Sequence, residues 1–428
     1  MTKPSNHIET VAIHAGYEPI NGAPRALPIY QSTTYHYDSV DEVAGLFDLS
    51  VEGDMYSRIS NPTCAMVEKK IAAMEGGVGA LLTTSGQAAS FVTVLNLCSA
   101  GDHIVSAATI YGGTVNLFAV TLKRLGIETT FVSPRSSVEE IRAAIRPNTK
   151  MVFGETVANP ALAVLDIEAF AEAAHAEGLP LVVDNTFPTP VMCRPFEWGA
   201  DVVVHSTTKY MDGHGMFVGG VIVDSGKFPW AEHADKFPGL TEPDESYHGV
   251  TYTRDFGEAA FITKARVQLI RDLGVYPPAV QAFALNQSLE SLPLRIRQHC
   301  NNAQAVAEWL EGQPQIESVN FPGLASSPDH ALASKYLPQG ACGVISFVVS
   351  GGRDRAAALL DALKLASIEV HVADSRTCVL HPASSTHRQL TDEQLVACGV
   401  LPGLVRFSCG LENAEDIIAD LEQALATI

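Results

Sequence analysis

The chain has 428 residues, 46% of them hydrophobic and 18% charged, a balance that supports a large folded core and excludes a disordered chain. Its 28 lysines and arginines against 48 aspartates and glutamates leave a formal net charge of −20, so it offers no basic face to nucleic acid as a main partner. Eight cysteines (Cys64, Cys98, Cys193, Cys300, Cys342, Cys378, Cys398 and Cys409) are scattered without a C-x-x-C pair, which excludes a zinc ribbon and favours reduced thiols over a disulfide scaffold. The opening MTKPSNHIET has no apolar signal-peptide core, and no apolar run approaches membrane-spanning length. The expectation is a soluble cytoplasmic protein with no membrane partner.

Residues 1–65 show little periodicity and carry Pro4, Pro19, Pro24, Pro28 and Pro62. They read as an N-terminal arm that docks on the protein's own body or on a neighbouring subunit. Apolar strands and helices alternate from there. GALLTTS is a strand and GQAASFVTVLNL a helix, DHIVSAA a strand and GGTVNLFAVTLKRLG a helix. ETTFVS is followed by SVEEIRAAI, where Ser137 and Glu140 have capping-box spacing. KMVFGE, LPLVVDN, ADVVVHS and VGGVIVD supply further strands, with the helix IEAFAEAAHAEG among them. This alternation predicts an α/β fold whose mostly parallel sheet is covered by helices on both faces. Residues 226–265 interrupt the rhythm with Pro, Gly, Asp and aromatics. A long helical region, 258–312, is broken near GVYPP. Beyond it the strands IESVNF, GVISFVVS, IEVHVA and LVRFSCG alternate with helices RDRAAALLDALKL, TDEQLVACG and NAEDIIADLEQALATI. The organisation expected is an arm (1–65), a large domain (66–265) and a smaller C-terminal α/β domain (266–428).

Polar residues gather where the large-domain strands end, which is where open parallel sheets bind ligands. In TTSGQAA a strand runs into a helix start at Gly86, whose free N–H groups suit an anion such as phosphate. An ordinary helix cap would leave the same residues. VVDNTF ends a buried strand on Asp184, either an acid capping a loop or the partner of a buried cationic group. VVVHSTTKY sets Ser206, Thr208 and Lys209 at the next strand end. A lysine in a low-dielectric pocket becomes a usable nucleophile or base. Together these parts suit pyridoxal 5′-phosphate: phosphate at Gly86, Ser206 and Thr208, ring nitrogen at Asp184, aldehyde at Lys209. Gly213-x-Gly215-x-x-x-Gly219 precedes a strand instead of opening a helix and is not a dinucleotide loop. No metal site is expected. His103, His205 and His214 read as structural or supporting residues.

The motifs YSRISNPT (56–63), SGQAA (85–89), YGGT (111–114), ETVANP (155–160), DNTF (184–187), HSTTKY (205–210), HPASSTH (381–387) and VRFSCGLE (405–412) run in order through nearly the whole chain. In these it resembles the Cys/Met metabolism, or cystathionine γ-synthase-like, family of fold-type I pyridoxal-phosphate enzymes. Its excursion after residue 236 most resembles the O-acetylhomoserine sulfhydrylase branch. The resemblance implies a PLP-dependent γ-replacement that converts O-acetylhomoserine and sulfide, or a small thiol, to homocysteine or methionine and acetate. The alternatives on the same scaffold are cystathionine γ-synthase and methionine or cystathionine γ-lyase chemistry. It also implies roles. Lys209 and Tyr111 would be catalytic, Tyr111 stacking on the cofactor ring. Gly86, Gln87, Ser206 and Thr208 would hold the phosphate, joined by Tyr56 and Arg58 of a neighbouring subunit, and Asp184 the ring nitrogen. Asn159 would lie near ring hydroxyl and substrate. Arg406, Ser375 and Tyr56 would contact substrate. A homotetramer of two catalytic dimers is implied. The chain departs from the pattern at Asp212, Met216 and Phe217 after the lysine and at Ala158. Gly113 stands where methionine γ-lyases carry a cysteine.

Overall fold

Strand segments made almost wholly of apolar, β-branched residues can lie only where both faces are covered, and they form the centre of this protein. The structure is a computed structural model and describes residues 7–386, 388–389, 391–393 and 400–428. Seven strands, β1 (Gly79–Thr83), β2 (His103–Ala107), β3 (Glu128–Val132), β4 (Thr149–Glu155), β5 (Leu181–Asp184), β6 (Val202–His205) and β7 (Gly220–Asp224), form one sheet in the order β1-β7-β6-β5-β4-β2-β3. The five strands from β6 to β3 are mutually parallel, and β7 is antiparallel to both its neighbours. Every residue of β2, β6 and β7 is buried.

The flanking helices start where the sequence supplies caps. The Ser85 hydroxyl accepts from Ala88 N–H at the start of Gly86–Leu97. Ser137 and Glu140 form the expected capping box at the start of Val138–Ala144. Asn61 caps the helix Pro62–Glu75, whose first residue is the proline favoured there. The segment 226–265 folds as short helical turns around packed aromatic rings, Trp230 stacking on Phe261 with centroids 5.6 Å apart. The long helical region does break at Gly274, and the helix Ala279–Glu311 follows, with Pro293 inside it.

A second sheet holds β8 (Ile316–Asn320), β9 (Val344–Val349), β10 (Ser367–Ile368), β11 (Cys378–Leu380) and β12 (Leu404–Ser408), in the order β10-β11-β12-β9-β8. Here the expected strand IEVHVA is corrected. Only Ser367–Ile368 pairs, because the chain leaves extended geometry at Ala373 (φ 65°) and turns around Asp374, whose carboxylate takes Arg376 N–H and guanidinium. The strand that fills this place is β11, to which the sequence reading assigned no element. Most of the expected helix TDEQLVACG, together with Cys398 and His387, lies outside the described residues.

By packing, the chain divides into two units. The first runs through Thr156 and adds Asp166–Asp212 and Phe217–Pro293; the second comprises Val157–Leu165, Gly213–Met216 and Leu294–Ile428. The seven described cysteines are buried free thiols. Among the described residues no helix is long and apolar enough to cross a membrane, and no cluster of three or more His, Cys, Asp or Glu could hold a metal.

Candidate functional site

In the first unit, the carboxyl ends of β5 and β6 are neighbours through the Asp184–Val204 register, and the start of helix Gly86–Leu97 meets them. A side chain on Gly86 would put its Cβ 2.6 Å from the Ser206 Cβ, so only glycine lets the helix start come this close. Ser85 takes the Ala88 N–H, while the Gly86 and Gln87 N–H groups donate to no described residue. The Ser206 hydroxyl is likewise uncommitted, whereas its backbone N–H donates to Thr186 Oγ1 at 2.8 Å. Two open N–H groups, an open hydroxyl and the helix dipole make a cradle for a phosphate-sized anion.

Asp184 closes β5. Its Oδ1 accepts from Thr186 N–H at 3.0 Å and from the Thr186 hydroxyl at 2.5 Å, while Oδ2 accepts from no described residue. Burial pushes the Asp184 carboxyl above its ordinary range, against the Thr186 hydrogen bonds and the charge of His205. A buried carboxylate with one open oxygen suits a protonated ring nitrogen. Lys209 is half-buried in the turn after β6, its N–H donating to Ser206 O at 3.2 Å. Thr208 is placed differently from Ser206. Its hydroxyl accepts from Gly219 N–H at 3.0 Å and donates to Gly219 O at 3.2 Å.

Tyr111 precedes the helix Gly112–Asn116, and its N–H donates to Glu155 Oε2 at 2.5 Å. The residue is 46% exposed, and its ring is offered as a stacking face. The ring leans over Gly113, where a Cβ would lie 2.5 Å from Tyr111 Cε1 and 2.7 Å from Gln87 Nε2. The donor set fits pyridoxal 5′-phosphate: anion cradle, open carboxylate, aromatic face and amine all belong to this unit.

Tyr56 and Arg58 are in the same unit but at another place. They line a cavity of about 160 Å³ with Tyr30, Ser32, Asn61 and Tyr276, and none of the strand-end residues borders it. The Arg58 guanidinium sits 5.4 Å from the Tyr56 ring centre and donates to Arg271 O.

The second unit gathers Asn159 and Arg406. Arg406 projects from β12, with Nη1 donating to Asn159 Oδ1 at 3.4 Å and Nη2 to the carbonyls of Val370 and His371, each at 3.3 Å. Ser375 Oγ donates to Gly213 O at 2.6 Å and lies 3.4 Å from His214 Nδ1. Beside it Asp374 holds Arg376. Burial raises the Asp374 carboxyl, but the Arg376 hydrogen bonds and charge outweigh it and leave the group below its ordinary range. Of the departures, Asp212 is buried, with its N–H on Thr207 O at 2.9 Å, while Met216 is 54% exposed. Nothing in the structure explains what they select.

Sequence reasoning did not assign Thr186, Glu155 or Gly219. Thr186 and Glu155 lie inside quoted motifs, DNTF and ETVANP, so the signal was present. Gly219 pairs with Thr208 only through the antiparallel return of the chain, which no local pattern encodes.

The family described as Cys/Met metabolism PLP-dependent enzyme matches residues 9–426. The chain is 44% identical over 430 residues to the O-acetyl-L-homoserine sulfhydrylase of Leptospira meyeri, covering 98% of this chain and 97% of that protein. It is 46% identical over 423 residues to the homocysteine synthase of Schizosaccharomyces pombe, covering 98% of each. A solved structure of a putative O-acetylhomoserine (thiol)-lyase from Campylobacter jejuni, which carries N′-pyridoxyl-lysine-5′-monophosphate, matches with a TM-score of 0.94 at 36% identity, covering 98% of this chain and 100% of that one.

Proposed function

The chain belongs to the Cys/Met metabolism PLP-dependent enzymes, with their fold-type I architecture and pyridoxal 5′-phosphate as cofactor, and on that premise we propose that it converts O-acetyl-L-homoserine and sulfide to L-homocysteine and acetate. The observation that carries this reading is the end-to-end likeness to an O-acetylhomoserine sulfhydrylase and a homocysteine synthase. Gly113, seated under Tyr111, supports it over methionine γ-lyase chemistry.

When bound, the cofactor supplies an electron-withdrawing ring next to the substrate's α-carbon. The chain's own residues do the rest. Asp184 keeps a proton on the ring nitrogen, so that the ring stays electron-poor. Gly86 and Gln87 N–H with the Ser206 hydroxyl hold the phosphate, and Thr208 stiffens the loop through Gly219. Tyr111 covers the ring face. Lys209 would hold the cofactor aldehyde in the resting enzyme; freed by substrate, its amine would take the Cα proton, hand it on to the cofactor, and so be neutral again to take a Cβ proton. Acetate leaves Cγ, sulfide bonds there, and Lys209 returns the protons. Positioned acid–base groups of this kind contribute about 10²–10⁴-fold. Arg406 takes the substrate carboxylate with two N–H donors, Asn159 aligning it, while Ser375 holds Gly213 and the loop after the lysine.

Tyr56 and Arg58 serve a neighbouring subunit's site, which makes the enzyme at least a dimer and, by family likeness, a tetramer of two dimers in the cytoplasm. The arm 1–65 leaves Ile20, Val40 and Phe47 exposed, apolar surface of the kind a neighbour covers. The large domain (66–265) carries the cofactor residues, and residues 266–428 carry Arg406 and Ser375.

The test is product analysis with O-acetyl- and O-succinylhomoserine, each crossed with sulfide, methanethiol and cysteine, and with methionine alone. Homocysteine from O-acetylhomoserine plus sulfide is expected to dominate, and Lys209→Ala to lose both turnover and the visible absorbance of the bound cofactor. Cystathionine as the main product, or release of methanethiol from methionine, overturns the assignment.

A further inference from the structure

Glu75 ends the helix Pro62–Glu75, where the helix dipole disfavours a carboxylate. Its side chain and that of His205 are both fully buried, 2.7 Å apart between Oε1 and Nε2. The same Oε1 also accepts from Asn185 Nδ2 at 3.1 Å. Asn185 is itself fixed, donating to Cys193 O at 2.9 Å and accepting from the Thr156 hydroxyl at 2.9 Å. One carboxylate oxygen is therefore bonded by the residue that follows Asp184 and by the residue that precedes Ser206. Thr186 joins the same two strand ends a second time, through Asp184 Oδ1 and Ser206 N–H.

Stability alone does not account for this pair. Two buried ionisable groups are costly to desolvate, and well-packed apolar residues do as well or better. Here Glu75 Oε2 and His205 Nδ1 are buried with no hydrogen-bond partner. The titratable groups facing the pair are Asp184 from β5 and the Cys193 thiol, which burial and then the charge of Glu75 hold protonated.

We infer that Glu75 and His205 are a positioning pair, which sets the spacing of Asp184 from Ser206 by tying the residue after the one and the residue before the other to a single carboxylate oxygen. The inference rests on the reading that Asp184 and Ser206 hold the cofactor. In Glu75→Gln the amide keeps the shape but offers His205 and Asn185 a weaker acceptor than the carboxylate oxygen they share.

The experiment strips the holoenzyme of cofactor and titrates it with pyridoxal 5′-phosphate across pH 6–9, in the parent, Glu75→Gln, His205→Gln and Asp184→Asn, with the melting temperature of each stripped protein recorded. Glu75→Gln is expected to bind about tenfold more weakly, because Asp184 and Ser206 are no longer held at the spacing the cofactor needs. Parent-like affinity in Glu75→Gln, with only its melting temperature lowered, overturns the inference in favour of a structural pair. If Glu75→Gln does not fold, His205→Gln is read in the same way. Asp184→Asn separates the two layers: parent-like binding there overturns the site reading itself, whereas weak binding there with parent-like Glu75→Gln overturns only the inference.

Discussion

Gly86 and Ser206 touch across the gap between a helix start and a strand end, with an added Cβ on Gly86 falling 2.6 Å from Ser206 Cβ and 2.8 Å from Ser206 Cα. The second contact is with backbone, so the methyl cannot be accommodated by a rotamer change. Gly86→Ala is therefore expected to push the helix start off β6. The cost to the stripped protein is about 1–3 kcal/mol. Cofactor affinity falls by about tenfold or more, because the Gly86 and Gln87 N–H groups move with the helix. Urea unfolding and cofactor titration check the two numbers separately, and unchanged affinity would place the phosphate elsewhere.

Ser206 and Thr208 are two residues apart and look equivalent in sequence, yet their hydroxyls differ in the fold. Thr208 Oγ1 is bonded twice to buried Gly219, and Ser206 Oγ to no described residue. Thr208→Ala is expected to destabilise the stripped protein by about 1–3 kcal/mol, the cost of leaving the buried Gly219 N–H unpaired. Ser206→Ala leaves stability within about 0.5 kcal/mol and weakens cofactor binding by about 1 kcal/mol, one lost hydrogen bond. If the two variants behave alike in both assays, the distinction drawn from Gly219 is wrong.

At Gly113 the obstructing atoms are ends of movable side chains, Tyr111 Cε1 and Gln87 Nε2. Gly113→Cys should fold with a stability change within about 0.5 kcal/mol, and the half-exposed Tyr111 ring should swing aside. The expected loss is catalytic: kcat/KM down by about tenfold or more, with an altered circular dichroism band of the bound cofactor. A parent-like band together with parent-like kinetics would mean that the ring position is not set by residue 113.

Much of the first unit was legible because its signals are local. Apolar runs such as VVVH are committed to a two-sided sheet, and the Ser137/Glu140 spacing states its own cap. The cofactor residues were legible for a related reason: Asp184, Ser206 and Lys209 follow directly on such runs, so their place at strand ends comes with the strands. What escaped depends on distance along the chain. The helix Pro62–Glu75 was not read as a helix, and its first turn was placed in the proline-rich arm (1–65) although Asn61 and Pro62 announce its start. Its last residue, Glu75, acquires meaning only when the sheet brings His205 and Asn185 to it. The strand Cys378–Leu380 escaped because three residues give no period, and IEVHVA misled because Ala373 turns into left-handed geometry that its alternating pattern does not show.

His299, in the helix Ala279–Glu311, is buried beside Cys409, its Nδ1 2.8 Å from the Cys409 carbonyl. Burial lowers its pKa to about 4, the Cys409 carbonyl working against the shift and the charge of Arg295 with it. In the unfolded chain the group titrates near about 6.5. Between these values the unfolded chain binds a proton that the folded protein refuses, so stability rises with pH there. The contribution is complete above about pH 6.5 and is lost as pH falls toward 4, about 3 kcal/mol in all. His103, also lowered to about 4 by burial and then by Arg146, adds to the acid slope of the parent; the informative quantity is therefore the difference between parent and His299→Gln. The glutamine amide can still donate to Cys409 O but cannot titrate. Urea unfolding between pH 4.5 and 7.5 should show a flatter dependence in the variant, the two curves differing in slope below about pH 6.5 and running parallel above it. Parallel curves throughout would mean that His299 carries a proton in the folded protein as readily as in the unfolded chain.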